Sequence, residues 1–143
     1  MESIGIPRNP DFNGKDQAGG GYYQFTQHNG RRWSTSTAYL SSAKKRKNLK
    51  VISRAKAEKI IFEQKRATAL QIRKNSSIEQ IDAGHIILSG GSINSPQLLE
   101  LSGIGDAERL HTLGIPLVHN NPDVGEHLQD HLLGKVVYGT QPS

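Results

Sequence analysis

Between residues 58 and 81 short apolar and polar residues alternate, with breaks at Gln64-Lys65 and Asn75-Ser76. The runs 58–63, 67–73 and 77–81, preceded by 49–53, have the length and the period-two pattern of half-buried strands. Two-residue polar breaks between such runs predict an antiparallel meander. Upstream, residues 22–27 and 31–35 also alternate, and Asn29-Gly30 joins them as a tight hairpin turn. A short helix is expected over 36–43. Residues 1–21 are rich in Pro, Gly, Asn and Asp, and read as turns.

After the meander the pattern changes. His85-Ile86-Ile87-Leu88 is a short apolar run that predicts a strand over 84–89. Gly90-Gly91 lets the backbone turn sharply and approach a ligand with no Cβ in the way. Ser95 is a good N-cap and Pro96 a good first helical residue, so a helix is expected to open there. Leu98, Leu99 and Leu101 give it an apolar face, and Gly103 ends it in the left-handed cap position. A second helix is expected over 107–113, ending at Gly114, then a short strand over 116–119. Residues 120–131 read as loop with room for one helical turn, and 134–139 as extended. No repeat or low-complexity segment interrupts the chain. The fold class is therefore mixed α/β.

Strand, glycine turn and helix N-terminus leave unpaired N–H groups and a positive dipole end facing one spot. Such a spot suits a phosphate or another electron-rich group. An ordinary βα turn that binds nothing has the same local pattern, so both readings stand at this point.

Composition narrows the choice only slightly. A chain of 143 residues is long enough for one domain, but 34% apolar residues and a mean hydropathy of −0.56 are lean for a self-sufficient core. No apolar run reaches the length of a membrane span, and no signal-peptide pattern is present. With no cysteine, disulfides and thiolate metal sites are excluded. The net charge of +5 and the run Lys44-Lys45-Arg46-Lys47 invite a nucleic-acid reading. No nucleic-acid motif accompanies them, and cations directly after a helix complement its C-terminal end, so no nucleic-acid partner is expected. His127 and His131 would share one face of a helix, with Glu126 and Asp130 close by. Glu-His-Leu-Gln-Asp-His is not the His-Glu-x-x-His pattern, and no metal is expected. Nor is there a Gly-x-Ser-x-Gly nucleophile elbow.

The wording of 91–105, Gly-Ser-Ile-Asn-Ser-Pro-Gln-Leu-Leu-Glu-Leu-Ser-Gly-Ile-Gly, closely resembles the second signature of the glucose–methanol–choline (GMC) flavin oxidoreductases. Asn9-Pro10-Asp11-Phe12-Asn13-Gly14, Gly21-Tyr22-Tyr23-Gln24, Asn29-Gly30-Arg31-Arg32 and Gly125-Glu126-His127-Leu128-Gln129-Asp130-His131 resemble further landmarks of that family, in family order. The nearest flavour is the bacterial alcohol and choline dehydrogenase-like branch. The resemblance implies part of an FAD-binding Rossmann-like domain, with its inserted meander, plus part of the substrate-domain sheet. On that basis 1–43 belongs to the substrate or cap region and 44–119 to the centre of the FAD-binding domain. Residues 120–143 form a flavin-side loop leading back to the substrate domain.

The same resemblance supplies site residues. Ala57 corresponds to the position whose backbone pairs with the adenine edge of FAD, although the family's usual Thr-Gly-Ala-x-Val is not kept here. Gly90, Gly91, Ser92 and Asn94 are expected against the flavin nucleotide, and Gln129 and Asp130 on the isoalloxazine side. No catalytic residue falls in 1–143, because the family's catalytic His pair and its Gly-x-Gly-x-x-Gly turn have no counterpart here. The chain is therefore expected to be an internal segment of such an enzyme, inactive alone and a weak FAD binder at best. The parent reaction implied is hydride transfer from an alcohol carbon to flavin N5, with a His taking the hydroxyl proton. Leu133 stands where choline-acting members place a Glu, which implies an uncharged primary or secondary alcohol as substrate. The remainder of the parent enzyme is the implied partner, and the cytoplasm or the periphery of the inner membrane the implied location. A non-catalytic α/β module, binding a nucleotide or a partner on the same scaffold, is the alternative.

Overall fold

The computed structural model describes residues 2–134, 136 and 137, so half of the extended run expected over 134–139 lies outside the described residues. The chain divides into two compact units, Met1–Val51 and Ile52–Ser143.

In the first unit polar contacts do most of the ordering. A 3-10 turn spans Glu2–Ile4, and Arg8 forms an isolated bridge with Gly20. Asn9 is buried, and its Nδ2 donates to the carbonyls of Asp16 (2.8 Å) and Ala18 (3.2 Å). Its Oδ1 accepts from the backbone N–H of Asp11 (2.9 Å), an Asx turn that fixes the loop it starts. Asp11 Oδ1 accepts from Gln24 Nε2 and from the N–H of Asn13, both at 2.9 Å, and these bonds hold its carboxyl below its ordinary pKa. Gly21 is required here for space, since a Cβ would lie 2.2 Å from the Asn9 carbonyl oxygen.

The hairpin forms as expected but is short. β1 (Gln27–His28) pairs antiparallel with β2 (Arg31–Arg32), and Asn29 and Gly30 both take positive φ (48° and 70°), as a two-residue primed turn requires. Residues 22–26 and 33–35 join no ladder. Tyr22, Tyr23 and Phe25 are exposed, because the aromatic residues there fall on both parities and define no single buried face. A π-type turn, Ser36–Leu40, continues into α1 (Ser41–Ala43), which together fill the predicted helix, and the basic run follows directly.

The second unit is built on a three-stranded antiparallel sheet in the order β3 (Ala55–Glu63), β4 (Arg66–Lys74), β5 (Ser77–Asp82). This is the predicted meander, without the strand expected at 49–53. Gln64 and Asn75 open its two turns at φ 58° and 56°. Ile60, Ala69 and Ile72 are its buried residues. Residues 84–89, predicted as a strand, form no ladder, because no described backbone lies alongside to pair with them; Ile87 is 87% exposed.

α2 runs Gly91–Leu101 and opens five residues earlier than predicted, with Gly90 as N-cap and Pro96 inside the helix. Ser95 does not cap an N-terminus at its own position. Its Oγ instead accepts from the N–H of Gly90 (3.0 Å) and closes the turn ahead of the helix. The far end of α2 is fixed by Ser102, which is 1% exposed. Its Oγ accepts from the N–H of Ile60 on the free edge of β3 (2.8 Å) and donates to the carbonyl of Leu98.

Gly103 follows at φ 91°, as predicted, and a Cβ there would lie 2.3 Å from the Pro116 carbonyl oxygen. That close approach lets β6 (Ile104–Gly105) pair in parallel with β7 (His119–Asn120). β6 was not expected, and the strand expected at 116–119 shifts to 119–120. α3 (Ala107–Thr112) opens on Asp106, whose side chain accepts from the N–H of Arg109 (2.8 Å), and buries Leu110 completely.

Candidate functional site

α2 lies against β3, and between its N-terminal half and the sheet is a cleft of about 390 Å³, within the usual range of small-molecule sites. Ala57, Leu70, Ile86 and Leu98 supply apolar walls, while Lys56, Gly90, Asn94 and Ser95 give the cleft a polar end. That end is also the N-terminus of α2, where backbone N–H groups lack helical partners and the dipole is positive. Gly90 is needed for clearance. A Cβ on it would stand 3.1 Å from the Cβ of Asn94 and 3.3 Å from the N of Ser95. At Gly91 the requirement is conformational instead: φ is +85°, with open space where a side chain would begin.

Three of the residues predicted for a site, Ala57, Gly90 and Asn94, therefore line one cleft, and Gly91 adjoins it in the chain. Ser92 turns away from them. It lines a second groove, of about 350 Å³, together with Pro96, Gln97, Gly125, Glu126 and Leu128. Gln129 and Asp130 line neither cavity; both are exposed, and Asp130 Oδ1 accepts from the N–H of His131 (2.7 Å). His127 and His131 are not on a helix, so their spacing does not place them on one face. His127 has φ 56°, and its Nε2 lies 3.1 Å from Asp123 Oδ1.

Sequence reasoning missed Lys56, Gln97 and Arg109. Gln97 follows Pro96 and precedes Leu98, and it lines both cavities, a position that helical spacing from Asn94 allows. Arg109 belongs to neither cavity but braces the second groove. Its Nη2 lies 2.9 Å from Glu100 Oε1, and its Nη1 donates to Glu126 Oε1 (2.8 Å). The bond to Glu126 above all, assisted by Glu100 and Asp106, holds the guanidinium above its ordinary pKa. Nearer the cleft, Arg73 Nε donates to Glu58 Oε1 at 2.6 Å, and that bond draws the Glu58 carboxyl below its ordinary value.

The family model described as GMC oxidoreductase matches residues 1–133. An alcohol dehydrogenase [acceptor] of Pseudomonas putida is 48% identical over 130 residues, which is 89% of this chain and 24% of the relative. An oxygen-dependent choline dehydrogenase of Staphylococcus saprophyticus is 51% identical over 129 residues, 90% of this chain and 23% of the relative. The chain thus spans about a quarter of the length of the curated relatives it matches. Among solved structures, pyridoxine 4-oxidase from Mesorbium loti superposes with a TM-score of 0.80 at 27% identity, covering 85% of this chain and 24% of that one. An FAD-dependent oxidoreductase from Chaetomium thermophilum gives 0.61 at 26% identity, over 64% of this chain and 16% of its own.

Proposed function

Because the chain belongs to the GMC oxidoreductase family, we propose that it is the segment of an FAD-dependent oxidoreductase acting on CH–OH donors whose cleft receives the adenosine end of the flavin. The observation that carries this reading is the meeting of Ala57, Gly90 and Asn94 in one cleft at the N-terminus of α2. Its residues fit such a group. The apolar walls at Ala57, Leu70 and Leu98 suit a flat purine, and the small Ala57 leaves its strand backbone approachable. Gly90 and the first N–H groups of α2 suit ribose or phosphate oxygens, and Lys56 adds a cation at the same end.

The chemistry a bound flavin supplies is acceptance of a hydride from an alcohol carbon. The part played by this chain is to bind and orient: Gly90 admits close approach, Asn94 and Ser95 shape the turn, and the 125–128 loop walls the groove on the far side of α2. The two carboxylates at the second groove, Glu100 and Glu126, are both engaged by Arg109, so taking the hydroxyl proton is assigned to the remainder of the parent. With Leu133 where choline-acting members carry a Glu, an uncharged primary or secondary alcohol is the substrate class proposed.

A segment exchange tests this. The part of the Pseudomonas putida alcohol dehydrogenase that matches this chain is replaced by this chain, and flavin content and alcohol-dependent dye reduction are measured. The expected chimera retains flavin and is reduced by a primary alcohol. A chimera that melts cooperatively yet carries no flavin would refute the reading.

A further inference from the structure

Residues 122–134 are tied to one another by local bonds: Val124 N–H to the Asn121 carbonyl (3.3 Å), Glu126 N–H to the Asp123 carbonyl (3.2 Å), and His127 to Asp123. Apart from the bonds of Asp123 and Val124 to the adjoining Asn121, their hydrogen bonds to the rest of the second unit, among the described residues, all come from one side chain. Arg109 donates from Nη1 to Glu126 Oε1 (2.8 Å) and from Nη2 to the Val124 carbonyl (3.2 Å), while Nη2 also lies 2.9 Å from Glu100 Oε1 in the last turn of α2.

The surroundings are shaped for that bridge. The Glu100 side chain passes Gly105, where a Cβ would sit 3.1 Å from its Cγ, and approaches Gly125, where a Cβ would sit 3.6 Å from its Oε1. Among the described residues, Glu100 Oε1 is buried with Arg109 as its one ionic partner and no hydrogen bond of good geometry, and Arg109 Nε is buried without an acceptor. Two carboxylates and one carbonyl thus converge on a single planar fork, an arrangement that a lysine's point charge does not reproduce.

We infer that Arg109 is a positioning residue, which clamps the 124–128 loop onto α2 and so sets the width of the groove between Ser92, Gln97 and Leu128. Removing the fork leaves the loop joined to the unit at Asn121, through its bond to Gly105, with no further hydrogen bond to the unit among the described residues. The consequence for cofactor binding rests on the proposed flavin reading; the clamp itself does not.

Hydrogen exchange of the purified chain tests the clamp without any ligand. In Arg109→Met the amides of 124–128 are expected to exchange about three- to tenfold faster, as the loss of partly exposed ion pairs implies. Amides of β3 and β4 should hold their wild-type rates, and Arg109→Lys should fall between the two. Added NaCl should speed loop exchange in the wild type and leave Arg109→Met unchanged, because only the wild type has pairs to screen. The inference is overturned by loop exchange that neither variant nor salt alters, or by acceleration that is equal in loop and sheet. If Arg109→Met does not fold, the wild-type salt series and Arg109→Lys decide the matter. Added FAD should slow loop exchange in the wild type more than in Arg109→Lys. Absence of any FAD effect on the wild type would count against the flavin reading and leave the clamp standing.

Discussion

Replacing Ser102 by alanine removes one hydroxyl and strips a partner from one buried and one half-buried backbone group. The Ile60 N–H lies on the edge of β3 away from β4, and the Leu98 carbonyl in the last turn of α2. A buried polar group stripped of its partner costs about 1–3 kcal/mol. Some relief is available to the Leu98 carbonyl, so the combined loss is set at about 2–4 kcal/mol, against a total of about 5–15 kcal/mol for an ordinary domain. The side-chain volume lost is small and adds little. Urea unfolding followed by far-UV circular dichroism measures the effect: the midpoint should fall by about 1 M or more while the slope is preserved. Ser95→Ala is the matched control, since its hydroxyl serves the exposed Gly90 N–H, where water can substitute. A Ser102→Ala loss below about 0.5 kcal/mol, with unchanged exchange at the Ile60 amide, would show that the hydroxyl is not what joins helix to sheet.

Further outcomes follow from the same geometry. Gly103→Ala should lower the melting temperature well beyond Gly91→Ala: both pay about 1–2 kcal/mol for positive φ, but only at Gly103 does the Cβ meet a carbonyl oxygen, at 2.3 Å. Glu58, whose folded pKa is depressed by Arg73, contributes stability above its ordinary pKa that is lost as pH falls through the lower folded value. Glu58→Gln should therefore flatten the acid limb of melting temperature against pH, and an unchanged limb would place the acid sensitivity elsewhere. Ala57→Leu, which fills the apolar end of the cleft, should weaken FAD binding by fluorescence titration with little change in melting temperature. Equal affinities for Ala57→Leu and the wild type would move the nucleotide out of this cleft.

The parts of the fold legible in the sequence are those governed by neighbours in the chain. Alternation at 58–63, 67–73 and 77–81 set the meander, Asn29-Gly30 set the hairpin turn, and Gly103 and Gly114 set two helix ends. Long-range closure decided the rest. Residues 84–89 have a strand's composition, but a ladder needs a second backbone beside it. Pro96 has the propensities of a helix start, yet Ser95 spends its hydroxyl on Gly90 and the helix begins at Gly91. β6 and β7 are two residues each, and they pair because Gly103 allows Pro116 to come close, which no periodicity encodes. Ala57, Gly90 and Asn94 line one cleft. Gln129 and Asp130 line neither cavity in this structure, and Arg109 reaches partners at 9, 15 and 17 residues' distance along the chain that no motif connects.

The turns Glu63↔Arg66 and Lys74↔Ser77 close over two residues each, whereas the Ser102 bond to Ile60 spans 42. Closing the longer loop costs more chain entropy before it gains any contact, so the hairpins should assemble first and α2 should dock onto a sheet already made. Weakening the Ser102 bond should then act on the unfolding limb of a chevron and leave refolding almost untouched. A cleft walled by sheet on one side and helix on the other is, in that order of events, the last feature the chain acquires and the first it gives up.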